Sequence, residues 1–188
     1  MYFRGKYMKY SQQIVLKNGK TAVLRNGVAS DGSTVFDNFN LTHAETDFLL
    51  SYPDENSFDP EKEGQFLEQK AASANEIEII AFVDGKVAGT AGIEAVGTKY
   101  KVRHRAEFGI SVLKEYWGLG IGRLLMEACV NCAKEAGYTQ LELTVVAENK
   151  RAIALYQKAG FVEYGRNPRG FRSRISGFQE VVYMLLTL

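Results

Sequence analysis

The sequence predicts an α/β protein with a central mixed sheet, and three observations carry that prediction. Residues 76–112 read as a run of strands, with helix-patterned segments before and after them. The order along the chain is ββ-αα-βββ-α-β-α-ββ, and covering helices around a central strand run imply a mixed sheet. Two hairpin signals, Asn18-Gly19 and Asp84-Gly85, mark strands that pair as sequence neighbours. The 188 residues read as a single domain, 1–188, because no segment cut out of the chain hides its own apolar face.

Each element has a local reason. "QQIVLK" and "TAVLR" flank "NGK" and form an N-terminal hairpin over about 12–25. "NGVASDGS" reads as a loop. From Ser33 the pattern turns helical through "FDNFNLTHAETDFLLSY", and Pro53 marks its end. A second helix follows in "SFDPEKEGQFLEQKAAS", with Pro60 in its first turn and acidic residues there that suit its dipole. Together these helices span about 33–72. "EIEIIAFVDGKVAGTAGIEAVG" gives two strands and "VRHRAEFGISV" a third. "GRLLMEACVNCAKEAG" is a helix with Leu124, Leu125, Ala128, Cys129, Cys132 and Ala136 along one side, closed by Gly137. "YTQLELTVVAEN" is a strand and "KRAIALYQKAG" a short helix closed by Gly160. "FVEYG" and "VVYMLLTL" close the sheet out to residue 188.

Composition narrows the function classes. Hydrophobic content is 46% and charged content 24%, as in soluble globular chains. Lys plus Arg is 23 and Asp plus Glu 22, so no general pull toward nucleic acid or an anionic membrane is expected. No apolar run is long enough to span a bilayer. "MYFRGKYMKYSQQ" is positively charged but lacks the apolar stretch of a signal peptide, so a cytoplasmic protein is expected. Cys129 and Cys132 have C-x-x-C spacing. They lie inside an amphipathic run rather than at a helix start, where a redox pair gains its lowered pKa, and read as buried apolar residues. Two histidines and two cysteines far apart give no metal site.

The segment "EYWGLGIGRLL", Glu115 to Leu125, carries the chemistry. Gly118, Gly120 and Gly122 do not fit G-x-G-x-x-G, and Gly122-Arg123-Leu124 does not complete a P-loop. What remains is an anion site. Glycines let a ligand approach the backbone, and the first-turn amides of the next helix have no internal partners. Arg123 in that turn opposes the dipole unless it meets an anion.

The joined pattern "AEFGISVLKEYWGLGIGRLLMEACVNCA", "LELTVVAEN" and "KRAIALYQKAGFVEYG" resembles the GCN5-related N-acetyltransferase (GNAT) superfamily. The resemblance covers most of Ile77 to Leu186. It implies a GNAT-like fold with a mostly antiparallel twisted sheet flanked by helices, and an acetyl-CoA-binding core over about 76–165. It implies that Ile110, Ser111 and Val112 align the pantetheine arm. The turn Trp117, Gly118, Leu119, Gly120, Ile121, Gly122 and Arg123 then cradles the pyrophosphate. It further implies that Asn149 hydrogen-bonds near the pantetheine, and that Tyr156 stands by the thioester sulfur as general acid. The family usually has Arg or Gln where this chain has Trp117, which alters the contact expected at the outer phosphates.

Direct acetyl transfer to an amine needs no covalent nucleophile, which agrees with the lack of a Ser-His-Asp or Cys-His pattern. It needs a base, a positioned thioester, a donor to the oxyanion and an acid for the thiolate. The resemblance places a glutamate base on this strand. Glu107 is the candidate here, a carboxylate among Ala106, Phe108, Ile110 and Val112, with a salt bridge to Arg103 or Arg105 as the structural alternative. Tyr156 serves equally as an aromatic packing helix on sheet. His104 and His43 read as surface or packing residues.

In the resembled family, the N-terminal helices and the segment before the last strand build the acceptor pocket. Here Val35 to Ala72 is acidic in places, and Asn167 to Glu180 is basic, with Arg166 just before it and Arg169, Arg172 and Arg174 within it. The basic segment reads as a solvated loop or a contact surface. The acceptor is a primary amine of a small molecule or peptide, with polyamine, amino acid, aminoglycoside and protein amine all open. A non-catalytic acetyl-CoA sensor or scaffold, an RNA-associated protein, and a protein N-terminal or lysine acetyltransferase with an open groove are the alternatives. A homodimer is possible if the apolar last strand lies at an edge.

Overall fold

A computed structural model of the chain describes residues 7–188. The first six residues, which belong to the positively charged N-terminal stretch, lie outside it. Eight strands form one sheet in the order β1-β2-β3-β4-β5-β6-β8-β7. The strands are β1 (Ser11–Val15), β2 (Thr21–Asn26), β3 (Ile77–Val83), β4 (Lys86–Ala95), β5 (Arg105–Val112), β6 (Gln140–Val146), β7 (Val162–Ser173) and β8 (Gly177–Thr187). Every neighbouring pair is antiparallel except β5 with β6, which is parallel. That is the mixed, mostly antiparallel sheet the sequence predicts.

The helices are α1 (Gly32–Glu45), α2 (Pro60–Ala71), α3 (Ile121–Glu135) and α4 (Lys150–Lys158). Alternation along the strands sorts the two faces. Ile77, Ile79, Ala81 and Val83 of β3 join the main core with Leu125, Cys129 and Cys132 of α3. Ile80 of the same strand turns the other way and packs with Val35 of α1 and Leu67 of α2. Asp59 caps α2 by accepting from the Lys62 amide at 2.8 Å. Both cysteines are free and buried, and burial raises both thiols, Cys132 to about 11. They are core residues.

Three segments differ from their expected form. The first helix ends at Glu45 rather than near Pro53, because Thr46 is extended and Asp47 becomes a hydrogen-bond hub. The basic segment is mostly strand rather than loop: Arg166, Arg169 and Arg172 lie in the twelve-residue β7, paired with β8 and interrupted by two irregularities in register, and Arg174 stands in the turn between the two strands. Its arginines have partners within the chain. Arg166 pairs with Glu163 and Glu180, Arg174 with Asp54 and Glu55, and Arg169 stacks over Phe178. The acidic and basic regions that seemed opposed in sequence thus meet each other. Finally, the last strand is interior, between β6 and β7, so it offers no edge for a partner copy. β1 and β7 are the edges.

Candidate active site

The sheet opens where β5 and β6 part. Their ladder has only three pairs, Arg105 with Gln140, Ala106 with Leu141 and Glu107 with Glu142. Arg105 clamps this seam with a bidentate pair to Glu142, whose carboxyl that contact holds below the usual range. Beyond Glu107 the two strands no longer pair. Ile110, Ser111 and Val112 keep their ladder with β4 on the other side.

The glycine turn and the start of α3 stand beside this opening. Gly118 and Gly120 have φ of 85° and 94°, and a Cβ on either would meet nothing within 4 Å. The turn therefore needs glycine for its backbone and leaves open space before its amides. No side chain caps α3, so its first-turn amides have no side-chain acceptor. Gly122 lies closer in, with Leu155 and Ile110 at 3.5 and 3.9 Å from a built Cβ. Arg123 does not face the turn; it pairs with Glu127 one helical turn on, at 2.7 Å. Two cations gather on Trp117, at the head of the turn. Arg151 lies 4.8 Å and Lys114 6.0 Å from its ring, and its indole N–H donates to the Val112 carbonyl at 2.7 Å. Open amides, a helix N-terminus and two lysine or arginine cations fit a pyrophosphate.

Asn149 caps α4, accepting from the Ala152 amide at 3.2 Å. Tyr156 is buried, with its ring centroid 6.2 Å from that of Phe108 and 5.9 Å from that of Phe161. Burial pushes its phenol well above the ordinary range, so it stays protonated. Its hydroxyl makes no hydrogen bond among the described residues.

On the opposite face of β5 lies a cavity of about 600 Å³ between the sheet, α1, α2 and the segment 46–59. Glu107 lines it with Gly109 and Ser111, and is exposed to it rather than buried. Its foreseen partner Arg105 is engaged by Glu142 instead. The cavity wall is held from outside by Asp47. Its carboxylate accepts from the hydroxyls of Tyr52, Ser173 and Ser176 and from the Gln179 amide, at 2.7–3.0 Å. Burial opposes the Asp47 charge, but these hydrogen bonds outweigh it and lower the pKa.

Glu78 and Asn38 were not singled out in the sequence, and Glu63 was seen only as part of the acidic 35–72 stretch. Glu78 of β3 lies deep in the molecule yet keeps part of its surface in the cavity, and burial pushes its carboxyl up to about 7. The Thr90 hydroxyl and the Lys70 charge work against that rise without cancelling it. Glu63 of α2 is buried and raised for the same reason. Asn38 of α1 is buried, with its Oδ1 unpartnered. The signal for Glu78 was available: it interrupts "EIEIIAFV" as Glu107 interrupts β5. His43 also lines the cavity, stacked on Phe39 at 3.7 Å, and burial lowers its pKa. Among the described residues no cluster of His, Cys, Asp and Glu could hold a metal, and no helix is long and apolar enough to cross a membrane.

Comparison with known proteins gives the family and the fold. The L-amino acid N-acetyltransferase AaaT of Escherichia coli is 30% identical over 108 residues, 57% of this chain and 65% of that one. The chain spans between 49% and 65% of the length of the first two curated relatives it matches. A GNAT-family acetyltransferase structure from Streptococcus pneumoniae superposes with a TM-score of 0.85 at 33% identity, covering 89% of this chain and 99% of that one. The fold also matches yncA of Salmonella typhimurium, solved with its cofactor acetyl-CoA, at a TM-score of 0.77 and 18% identity, over 89% and 94% of the two chains. Residues 41–161 match the Acetyltransferase (GNAT) family, so the parted strands, the glycine turn and the helix start are those of a chain that belongs to that family.

Proposed function

We propose that residues 1–188 act as one acetyltransferase domain that moves the acetyl group of acetyl-CoA directly to a primary amine. The observation that carries this reading is the parting of β5 and β6 beside the uncapped start of α3. Acetyl-CoA supplies the acetyl group as a thioester. Leu119 to Arg123, with Trp117 and Gly118, hold its pyrophosphate, although Arg123 must leave Glu127 to take part. Ile110, Ser111 and Val112 align the pantetheine, and the free amide N–H groups of Asn149 reach it while its oxygen caps α4.

The acceptor enters from the cavity on the other face of β5. Glu107 takes a proton from the ammonium, the neutral nitrogen attacks, and the C–S bond breaks as the C–N bond forms. Tyr156, kept protonated by burial, gives its proton to the leaving thiolate, and the second proton shed by the newly acylated nitrogen passes through solvent to restore the phenol. The cavity favours a small-molecule amine over a protein surface, because helices and the 46–59 segment wall it.

Calorimetric titration with acetyl-CoA tests the reading, with ATP and phosphate as controls. Selective binding in the micromolar range supports it. Gly120→Val, placing a side chain in the open space before the amides, should weaken that binding by at least about tenfold. A folded protein that ignores acetyl-CoA would sink the proposal.

A further inference from the structure

Five carboxylates line the acceptor cavity, Glu55, Glu63, Glu78, Glu94 and Glu107, and no lysine or arginine does. Two already have cations. Glu55 lies 3.3 Å from Arg174, and Glu94 lies 2.7 Å from Lys70. Glu63, Glu78 and Glu107 have no ion pair among the described residues. The one basic ring on the wall, His43, is held neutral by burial and turns its Nδ1 to the Phe39 carbonyl at 2.7 Å.

Asn38 gives an independent sign. It is 3% exposed, and its Nδ2 donates to the Val87 carbonyl at 3.2 Å. A carbonyl only accepts, so the amide orientation is fixed and Oδ1 is the atom left over. That oxygen is enclosed and has no donor. An orphaned buried acceptor keeps its full desolvation cost, so a donor belongs there. Glu63, 7% exposed on the neighbouring helix, is a second acceptor on the wall, with no ion pair among the described residues. The rest of the wall includes Phe39, Phe58 and Phe66, whose faces suit methylenes and ammonium groups alike.

Resting on the acetyltransferase reading, we propose that the acceptor is an aliphatic di- or polyamine that carries no carboxylate. One amine reacts at Glu107, and a further ammonium is held by Glu63 and the Asn38 Oδ1. An amino acid would bring a carboxylate into a chamber with three unpaired carboxylates and no free cation, which like-charge repulsion disfavours. A simple monoamine would leave the enclosed acceptors unmatched.

The full chain is tested in two arms. In the first, thiol release from acetyl-CoA is followed with spermidine, 1,4-diaminobutane, n-butylamine, L-alanine, an alanine-initiated peptide and kanamycin. Spermidine or 1,4-diaminobutane should exceed all the others in kcat/KM, and n-butylamine by at least about tenfold. Alanine, peptide or kanamycin doing as well, or n-butylamine matching the diamine, overturns the inference. In the second, spermidine is titrated into protein saturated with CoA, which cannot react. Acetyl-CoA binding without spermidine binding overturns the acceptor class alone, while failure to bind acetyl-CoA overturns the acetyltransferase reading and this inference with it. Glu63→Gln should shrink the preference for spermidine over n-butylamine about tenfold, and an unchanged preference counts against the assignment.

Discussion

Glu78 and Gly92 face each other across β3 and β4, and the Glu78 carboxylate fills the space a side chain at 92 would take. A Cβ on Gly92 would lie 2.1 Å from Glu78 Oε2 and 3.0 Å from the Ile77 carbonyl. The glycine is there so that an acid can lie flat on the cavity floor. Gly92→Ala should displace the carboxylate, cost about 1–2 kcal/mol of stability, and lower kcat/KM for the amine by about tenfold or more. Acetyl-CoA affinity by calorimetry should not move. Unchanged amine kinetics would show that the placement of Glu78 is immaterial.

The raised pKa of Glu78 makes stability depend on pH. It shares the cavity with Glu63 of α2, Thr90 and Glu94 of β4, Glu107 of β5 and His43 of α1, with Lys70 of α2 nearby. A carboxyl at about 7 in the fold binds more protons than the unfolded chain between its ordinary value and neutrality. Its contribution is therefore full in acid and is lost as pH rises through about 7. Glu78→Gln should match the wild type near pH 5 and exceed it near pH 8.5, by at most roughly 3 kcal/mol because the cavity admits water. Urea unfolding at the two pH values measures this. A constant difference between the proteins would mean that Glu78 is ionised throughout.

Tyr156 separates acid from packing. Tyr156→Phe keeps the ring between Phe108 and Phe161 and removes a hydroxyl with no hydrogen bond among the described residues. Stability should stay within about 0.5 kcal/mol of the wild type. The kcat should fall by about 10²-fold or more, with acetyl-CoA affinity preserved. Equal turnover would leave Tyr156 as a core aromatic.

Asp47 ties the segment 46–59 to the β7–β8 hairpin. Asp47→Ala removes the acceptor of three hydroxyls and an amide, and leaves buried Ser173 without it. The loss should be on the order of 2 kcal/mol, with faster limited proteolysis within 46–59 and a higher KM for the amine. If cleavage is unchanged, the hub does not order that wall.

The turn and helix start proposed as the donor side were legible in the sequence because their determinants are local. Gly118 and Gly120 set the turn, α3 follows at once, and the strand before it carries Glu107. The acceptor side was not. Asn38 is buried, and its Nδ2 is bonded to the Val87 carbonyl, 49 residues away in sequence. Asp47 shortens α1 by bonding Ser173, 126 residues away, so no window on the first helix could locate its end. The basic run looked like a loop because bulges break its alternation, and a register read off the ladder with β8 is invisible to a period-two count. The charges of Arg174, Asp54 and Glu55 were all seen, but their pairing is tertiary.

The interior position of β8 bears on how the protein is made. Chains emerge from the ribosome in order, and β6 appears well before the strand that must pair with all seven of its residues. Until Gly177–Thr187 arrives, the β6 backbone edge stays open and the β7 hairpin has no mate. Met184 and Val182, wholly buried at the end, plug the last gap in the core. A nascent chain stalled before β8 therefore presents an unpaired, apolar strand to its surroundings, the state that holdase chaperones bind and that aggregation exploits.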